Sequence, residues 1–89
     1  MTTTFEINAY FNNTQFVLNG DDTFLDTSRG AQGREYRNEA EARATFAWAV
    51  ENLASEFTNP AARQPVRFEL VQHSFDDEGE VVAETLIAA

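Results

Sequence analysis

The sequence predicts an α+β fold in which a single antiparallel sheet of four or five strands carries one α-helix on one face, in the chain order ββ(β)αββ. Three observations lead to this prediction. Helical periodicity is confined to one stretch near the middle of the chain, alternating apolar and polar residues flank that stretch, and Asn, Asp and Gly residues separate the alternating segments. With 89 residues, the chain is expected to form a single compact domain, 1–89.

The first two strands are predicted as a hairpin. Apolar side chains alternate from the fifth residue, and they fall on one side of the strand: Phe5, Ile7, Ala9 and Phe11. Asn12-Asn13 is typical of a two-residue hairpin turn, because Asn tolerates positive φ. A turn there opposes Ala9 to Phe16 and Phe5 to Gly20. Residues 19–22 then predict a second turn, and residues 23–26 a short third strand.

The helix is predicted over residues 38–57. Asn38 is a favourable N-cap with Glu41 three residues later, and Asn59-Pro60 supplies the stop. At about 100° per residue, one narrow sector of the helix contains the large apolar residues Phe46, Val50, Leu53 and Phe57, flanked by Ala42 and Ala49. This stripe is expected to face the sheet.

Trp48, the one tryptophan of the chain, points away from the apolar stripe and is therefore expected to be exposed. Two explanations remain open. The loop at residues 27–34 folds over it, or it serves as a contact for a partner or a second copy, since Trp is enriched among interface hot spots.

After the helix, Val66, Phe68 and Leu70 begin a strand in alternation, but Val71 and Phe75 have the opposite parity. This change indicates either a bulge or a strand that is partly covered on both faces. Residues 76–79 form the last turn, and residues 81–87 return as a strand that is apolar on both faces, so the pattern leaves its register open. The second face of the sheet is either tolerated surface or a dimer interface; its members are Tyr10, Val17, Val71, Val82 and Leu86, interspersed with Glu6, Glu69 and Glu84.

The chain is strongly acidic, with 15 Asp and Glu residues against six arginines, no lysine and a formal net charge of −9. This balance argues against direct binding of nucleic acid, because phosphate contacts require Lys or Arg. The absence of cysteine excludes disulfides and thiolate metal sites, and the sequence shows neither a signal peptide nor a membrane-spanning stretch. A cytoplasmic location is expected.

No set of residues predicts catalysis, a cofactor or a metal. His73 is the one histidine and lacks a nucleophile to activate, so it is expected to be a strand residue beside Glu84 or Val82. The acidic run at residues 76–80 lacks the ligand spacing of an EF-hand loop. Residues 28–33 resemble a phosphate loop only in composition and predict a mobile loop. The chain is therefore expected not to be an enzyme.

The acids near the turns are the candidate partner-binding residues. Carboxylates at strand spacing can imitate the phosphates of a nucleic acid and steer the protein toward a basic partner. The alternative is that the acids only keep the protein soluble or adapt it to a salt-rich cytoplasm. With the exposed tryptophan as an apolar anchor, the candidates are Asp21, Asp22, Asp26, Trp48, Asp76, Asp77, Glu78, Glu80 and Glu84.

In size, acidity, absence of cysteine and lack of catalytic groups, the chain resembles small phage-encoded inhibitors, including anti-CRISPR and anti-restriction proteins, some of which are nucleic-acid mimics. The resemblance covers no specific residues. It implies a small acidic, non-enzymatic inhibitor that binds a basic nucleic-acid-handling protein or complex, in the cytoplasm of a phage host. The alternative hypothesis is a self-associating, dimeric interaction or scaffold module with no inhibitory role.

Overall fold

The computed structural model describes residues 2–89 and contains five strands and one α-helix. Their bounds are β1 (Thr2–Phe11), β2 (Thr14–Leu18), β3 (Phe24–Asp26), α1 (Glu39–Leu53), β4 (Arg67–Phe75) and β5 (Val81–Ala88). The strands form one antiparallel sheet in the order β3-β2-β1-β4-β5. The predicted fold class and element order are confirmed. In this part of the chain, no helix is both long enough and apolar enough to cross a bilayer.

The first hairpin has the predicted register next to its turn, where Ala9 lies opposite Phe16. Asn12 and Asn13 both adopt positive φ, as the turn requires. The predicted pairing of Phe5 with Gly20 is wrong. Tyr36 takes that place, since the Phe5 amide donates to the Tyr36 carbonyl at 2.7 Å and the Tyr36 amide donates back at 2.9 Å. Because β2 ends at Leu18, the connection to the helix completes the edge of β1.

The buried side of α1 is rotated from the predicted stripe toward the two alanines. Ala42, Ala49 and Leu53 are buried, whereas Val50 is exposed. Small side chains in the centre of the contact let the helix approach the sheet closely, which moves the larger residues to its sides. The Glu41 amide donates to Asn38 Oδ1 at 3.0 Å, so the predicted N-cap is confirmed. The α-helix itself ends at Leu53, and a 3₁₀ turn (Ala54–Glu56) follows.

A cluster of phenylalanines closes the core beyond the end of α1. The ring of Phe57 lies 5.1–6.0 Å, centroid to centroid, from four other rings, which belong to Phe11, Phe16, Phe24 and Phe68. All four contacts are edge-to-face, one of the geometries that aromatic pairs prefer. The cluster fixes the segment after the helix against the β1–β2 hairpin.

The register of the second hairpin, which the pattern left open, includes two irregularities. His73 lies opposite Glu84, as expected, and shifts in the β4–β5 pairing leave Val82 and Ile87 as the extra residues of β5. The pairing of β4 with β1 is continuous. The change of apolar side on β4 therefore reflects burial on both faces, with Leu70 beneath α1 and Val71 only 3% exposed on the other face.

The connection between β3 and α1 crosses the face of the sheet opposite the helix. A Cβ added to Gly33 would overlap Cγ2 of Val17, and the Arg34 amide donates to the Leu18 carbonyl at 2.9 Å. We call residues 30–36 the strap. The prediction that this loop folds over Trp48 is wrong, because its hydrogen bonds hold it against β1 and β2. Trp48 is 42% exposed, as the helical pattern predicted.

Candidate partner-binding surface

Two acidic turns lie at the same end of the sheet. β2 and β4 run in the same direction, opposite to β1, so the turn after β2 (residues 19–23) and the turn after β4 (residues 76–80) share the end where β1 begins. Together they contain six carboxylates and no arginine: Asp21, Asp22, Asp76, Asp77, Glu78 and Glu80. These residues contribute −6 of the formal net charge of −9. We call this region the acidic end.

The turn after β4 is held by one of its own carboxylates. Asp76 Oδ1 accepts hydrogen bonds from the Glu78 and Glu80 amides, each at 2.9 Å. The Gly79 amide donates to the Asp76 carbonyl at 3.1 Å, and Gly79 has a φ of 83°. Asp76 is therefore the residue that shapes the turn, while the side chains of Glu78 and Glu80 are exposed.

The turn after β2 is shaped by an amide side chain instead. Asn19 Oδ1 accepts from the Asp21 amide at 2.9 Å and from the Thr23 hydroxyl at 3.1 Å. Asp22 has a φ of 60°, a conformation that Asp tolerates better than most residues. Asp21 and Asp22 are both exposed, and neither carboxylate is needed to form the turn.

The two turns form separate patches rather than one row of carboxylates. Val17 lies opposite Asn8, whereas Phe75 lies opposite Thr2, so β4 extends about five residues farther than β2. With three strand spacings between the turns, their tips are roughly 20 Å apart. The acidic end thus presents two separate clusters of carboxylates.

Two predicted acids lie away from the acidic end. Asp26 ends β3, and its Oδ1 accepts from the Ser28 hydroxyl at 2.7 Å and from the Ser28 amide at 2.8 Å. These hydrogen bonds lower the pKa of the Asp26 carboxyl, which acts as the cap of the 3₁₀ turn Thr27–Arg29. Glu84 lies on the face opposite α1, where one carboxylate oxygen is 3.7 Å from His73 Nε2.

Trp48 is also separate from the acidic turns. Tyr36 pairs with Phe5 near the start of β1, so α1 begins at the acidic end. Trp48 is nine residues along the helix, about 13 Å from its first turn. It is exposed on the outer side of α1, and its carbonyl accepts a hydrogen bond from the Asn52 side chain. A partner that contacts both Trp48 and an acidic turn must therefore wrap around the helix.

The opposite end of the molecule carries a groove that the sequence did not reveal. Its volume is about 740 Å³, and no carboxylate lines it. The Arg67 guanidinium carbon lies over the Tyr10 ring, 4.7 Å from its centroid, and Arg67 Nε is 3.4 Å from Glu69 Oε2. Arg63 lines the same groove and has no ion pair among residues 2–89. The charge of the molecule is therefore divided between an acidic end and an arginine-lined end.

The sequence contained one signal for this division, since Arg63 and Arg67 are the last arginines of the chain and the acidic residues 76–80 follow them. The groove itself depends on the connection at residues 61–65 lying beside the Asn12-Asn13 turn, which no local pattern predicts.

Chemically, this surface offers carboxylates on two hydrogen-bonded turns. No group of three or more His, Asp or Glu side chains within residues 2–89 is placed to hold a metal ion. Comparison of the chain with protein-family models, with curated proteins and with solved structures returned no match.

Proposed function

We propose that this protein is a non-enzymatic inhibitor that binds a basic, nucleic-acid-handling surface of another protein through its acidic end. The observation that supports the proposal is the concentration of six carboxylates, and of no arginine, on two turns at one end of the sheet. The remaining acids are largely balanced by the six arginines. A charge distribution of this kind accelerates association with an oppositely charged partner and suppresses other partners.

The rigidity of both turns supports a role in binding. Asp76 and Asn19 accept hydrogen bonds from the amides of their own turns, so the backbone that carries the remaining carboxylates is fixed before a partner arrives. Preorganisation of this kind lowers the entropy lost on association. With tips roughly 20 Å apart, the two patches can contact basic residues on both sides of a cleft. In this proposal the acids compete with nucleic acid for the same arginines and lysines.

The structure guides the choice of variants. Asp76 is unsuitable, because its replacement would also open the turn. Glu78→Gln with Glu80→Gln removes two charges whose side chains are exposed and do not shape the turn. Glu51→Gln with Glu56→Gln is the matched control, since it changes the net charge equally on exposed side chains of the helix and of the following 3₁₀ turn.

The experiment immobilises the protein, exposes it to a cell lysate at low salt, and elutes with about 0.5 M salt or with duplex DNA. Recovery of a nucleic-acid-binding protein that duplex DNA displaces is the expected result. With that partner purified, E78Q/E80Q should raise Kd by roughly twofold to thirtyfold, because each exposed charge pair is worth about 0.2–1 kcal/mol. The control E51Q/E56Q should leave Kd nearly unchanged. Equal weakening by both variants would show that only net charge matters, and the acidic end would lose its proposed role.

A further inference from the structure

The two edges of the sheet differ in how they are protected. β3 has three residues, and the 3₁₀ turn after it is tied to the neighbouring strand, since the Thr27 hydroxyl donates to the Gln15 carbonyl at 3.0 Å. β5 has eight residues, and no other segment of residues 2–89 pairs with its outer edge. Natural edge strands are usually shortened, charged or covered to prevent pairing with another chain. β5 has no Pro, Lys or Arg, and Glu84 is its one charged residue.

β5 also carries the most exposed large apolar side chains of the described residues. Val81, Val82 and Leu86 are 54%, 55% and 56% exposed, respectively. Val71, which the sequence placed on the same face as a further contact residue, is buried by its neighbours within one chain. The apolar surface available to a second molecule is therefore at the edge of the sheet rather than in the middle of its open face.

We propose that β5 pairs antiparallel with β5 of a second copy and joins the two sheets into one continuous sheet of ten strands. In an antiparallel pair of strands, two residues that lie opposite each other either both point their amide and carbonyl groups toward the partner strand or both point them away. When a strand pairs with its own copy, this condition requires one residue to lie opposite itself. The twofold axis therefore passes between that residue and its copy. The axis is then perpendicular to the sheet, and both helices lie on the same side.

Two such registers align β5 with itself over most of its length. The register centred on Glu84 places two carboxylates directly opposite each other, which is destabilising. The register centred on Thr85 places Thr85 opposite its own copy and Glu84 opposite Leu86. A Thr–Thr pair is a favourable cross-strand pair, so the Thr85 register is the one we infer. The two irregularities at Val82 and Ile87 lie outside the centre of this seam, residues 84–86, which is regular strand.

The charges favour this antiparallel arrangement. The acidic turn at residues 76–80 precedes β5, so pairing about Thr85 places the two copies of that turn at opposite ends of the seam. Their tips are then about 48 Å apart along the strand direction, several Debye lengths at physiological salt. A parallel arrangement would place the same acids side by side. Both acidic ends remain accessible in the dimer, so this inference does not depend on the proposed function.

The absence of cysteine allows a direct test by single substitution. In the proposed dimer, Thr85→Cys brings two Cα atoms to about 4.5–5.5 Å, within the range of a disulfide. Ala83→Cys is the matched control, because it lies on the same face of the same strand but about 14 Å from its copy. Under mild oxidation at low protein concentration, T85C should form a covalent dimer at least tenfold faster than A83C. Equal rates for the two variants, or faster cross-linking of E84C than of T85C, would overturn the inferred register.

Sedimentation equilibrium of the unmodified protein tests the dimer itself. The expected mass is twice the 10.0 kDa of one chain. Leu86→Glu, which places a second carboxylate directly opposite Glu84 of the other copy, should raise the dimer dissociation constant at least tenfold. Val50→Glu adds the same charge on the exposed side of α1 and should leave the dissociation constant unchanged. A mass of one chain at every concentration would overturn the proposal.

Discussion

Near their centres, the two faces of the sheet bury apolar side chains almost equally well but by different means. On one face, Ile7 and Leu70 are completely buried beneath α1. On the open face, Val17 and Val71 are almost as buried without a second layer. The strap covers Val17, and Val71 lies between the longer side chains of Glu6 and Leu86 on the adjacent strands. Loss of solvent exposure therefore does not by itself show how firmly a side chain is packed.

The largest expected effect separates these two kinds of burial. Leu70→Ala should lower the free energy of unfolding by about 2–5 kcal/mol, because the helix above it can only partly fill the cavity. Val71→Ala should cost about 1–2 kcal/mol, close to the transfer term for two methyl groups, since flexible side chains on the open face can close the gap. Urea unfolding followed by far-UV circular dichroism measures both. A cost for V71A equal to that of L70A would show that the open face is packed as rigidly as the helical face.

The strap provides the next comparison. Gly33→Ala should lower stability by about 1–3 kcal/mol, because the new methyl group overlaps Val17 on the open face. Gly20→Ala is the matched control, since nothing lies within 4 Å of a Cβ at that position. If the overlap is the cause, adding Val17→Ala should remove most of the cost of G33A in a double-mutant cycle. Strictly additive costs would place the strain elsewhere.

Much of the fold could be predicted from local patterns. Alternation identified the hairpin of β1 and β2, and Asn38 with its downstream acids identified the start of α1. The rotation of the helix could not be predicted in this way, because hydrophobicity favours Val50 whereas close approach to the sheet favours Ala42 and Ala49. The path of the strap also depends on contacts distant in sequence, such as that between Gly33 and Val17.

A smaller effect concerns the N-cap of α1, the helix that covers one face of the sheet. Asn38→Ala removes the side chain that caps α1 and should lower the free energy of unfolding by about 1 kcal/mol. Asn52→Ala, near the other end of the same helix, should change it by no more than about 0.5 kcal/mol. Thermal unfolding of the two variants under identical conditions provides the comparison. A larger loss for N52A than for N38A would contradict the assignment of the cap.

The smallest effect concerns one tyrosine on each face. Burial raises the pKa of Tyr10 on the open face and of Tyr36 in the core. A raised pKa means that the folded state favours the neutral phenol, so this contribution to stability is complete below about pH 10 and is lost as the pH rises further. Absorbance titration of tyrosinate in Y10F and in Y36F isolates each group. An ordinary pKa for Tyr10 would show that water reaches the open face.

The candidate site was less predictable than the fold. The sequence identified which residues are acidic and that they fall in turns, but not that the turns after β2 and β4 share one end. That arrangement follows from β1 lying between them, a long-range pairing. Composition also does not show which acids are available to a partner. Asp26 and Asp76 each accept hydrogen bonds from their own turn. The arginine-lined groove was missed because Arg67 reaches Tyr10 through the long-range pairing of β4 with β1, and Arg63 lines the same groove only through the path of the connection before β4.

β1 lies in the centre of the sheet but precedes the other strands in the chain. It is therefore synthesised before either of the strands that pair with it. β2 follows within a few residues, but β4 begins at Arg67. At about 5–20 residues per second, a ribosome takes roughly 3–13 s to deliver β4 after β1 has been made. During that interval the edge of β1 that later pairs with β4, including the backbone of Phe5 and Ile7, has no partner strand. The nascent chain is then most exposed to aggregation and to capture by chaperones, and completion of β4 ends that period.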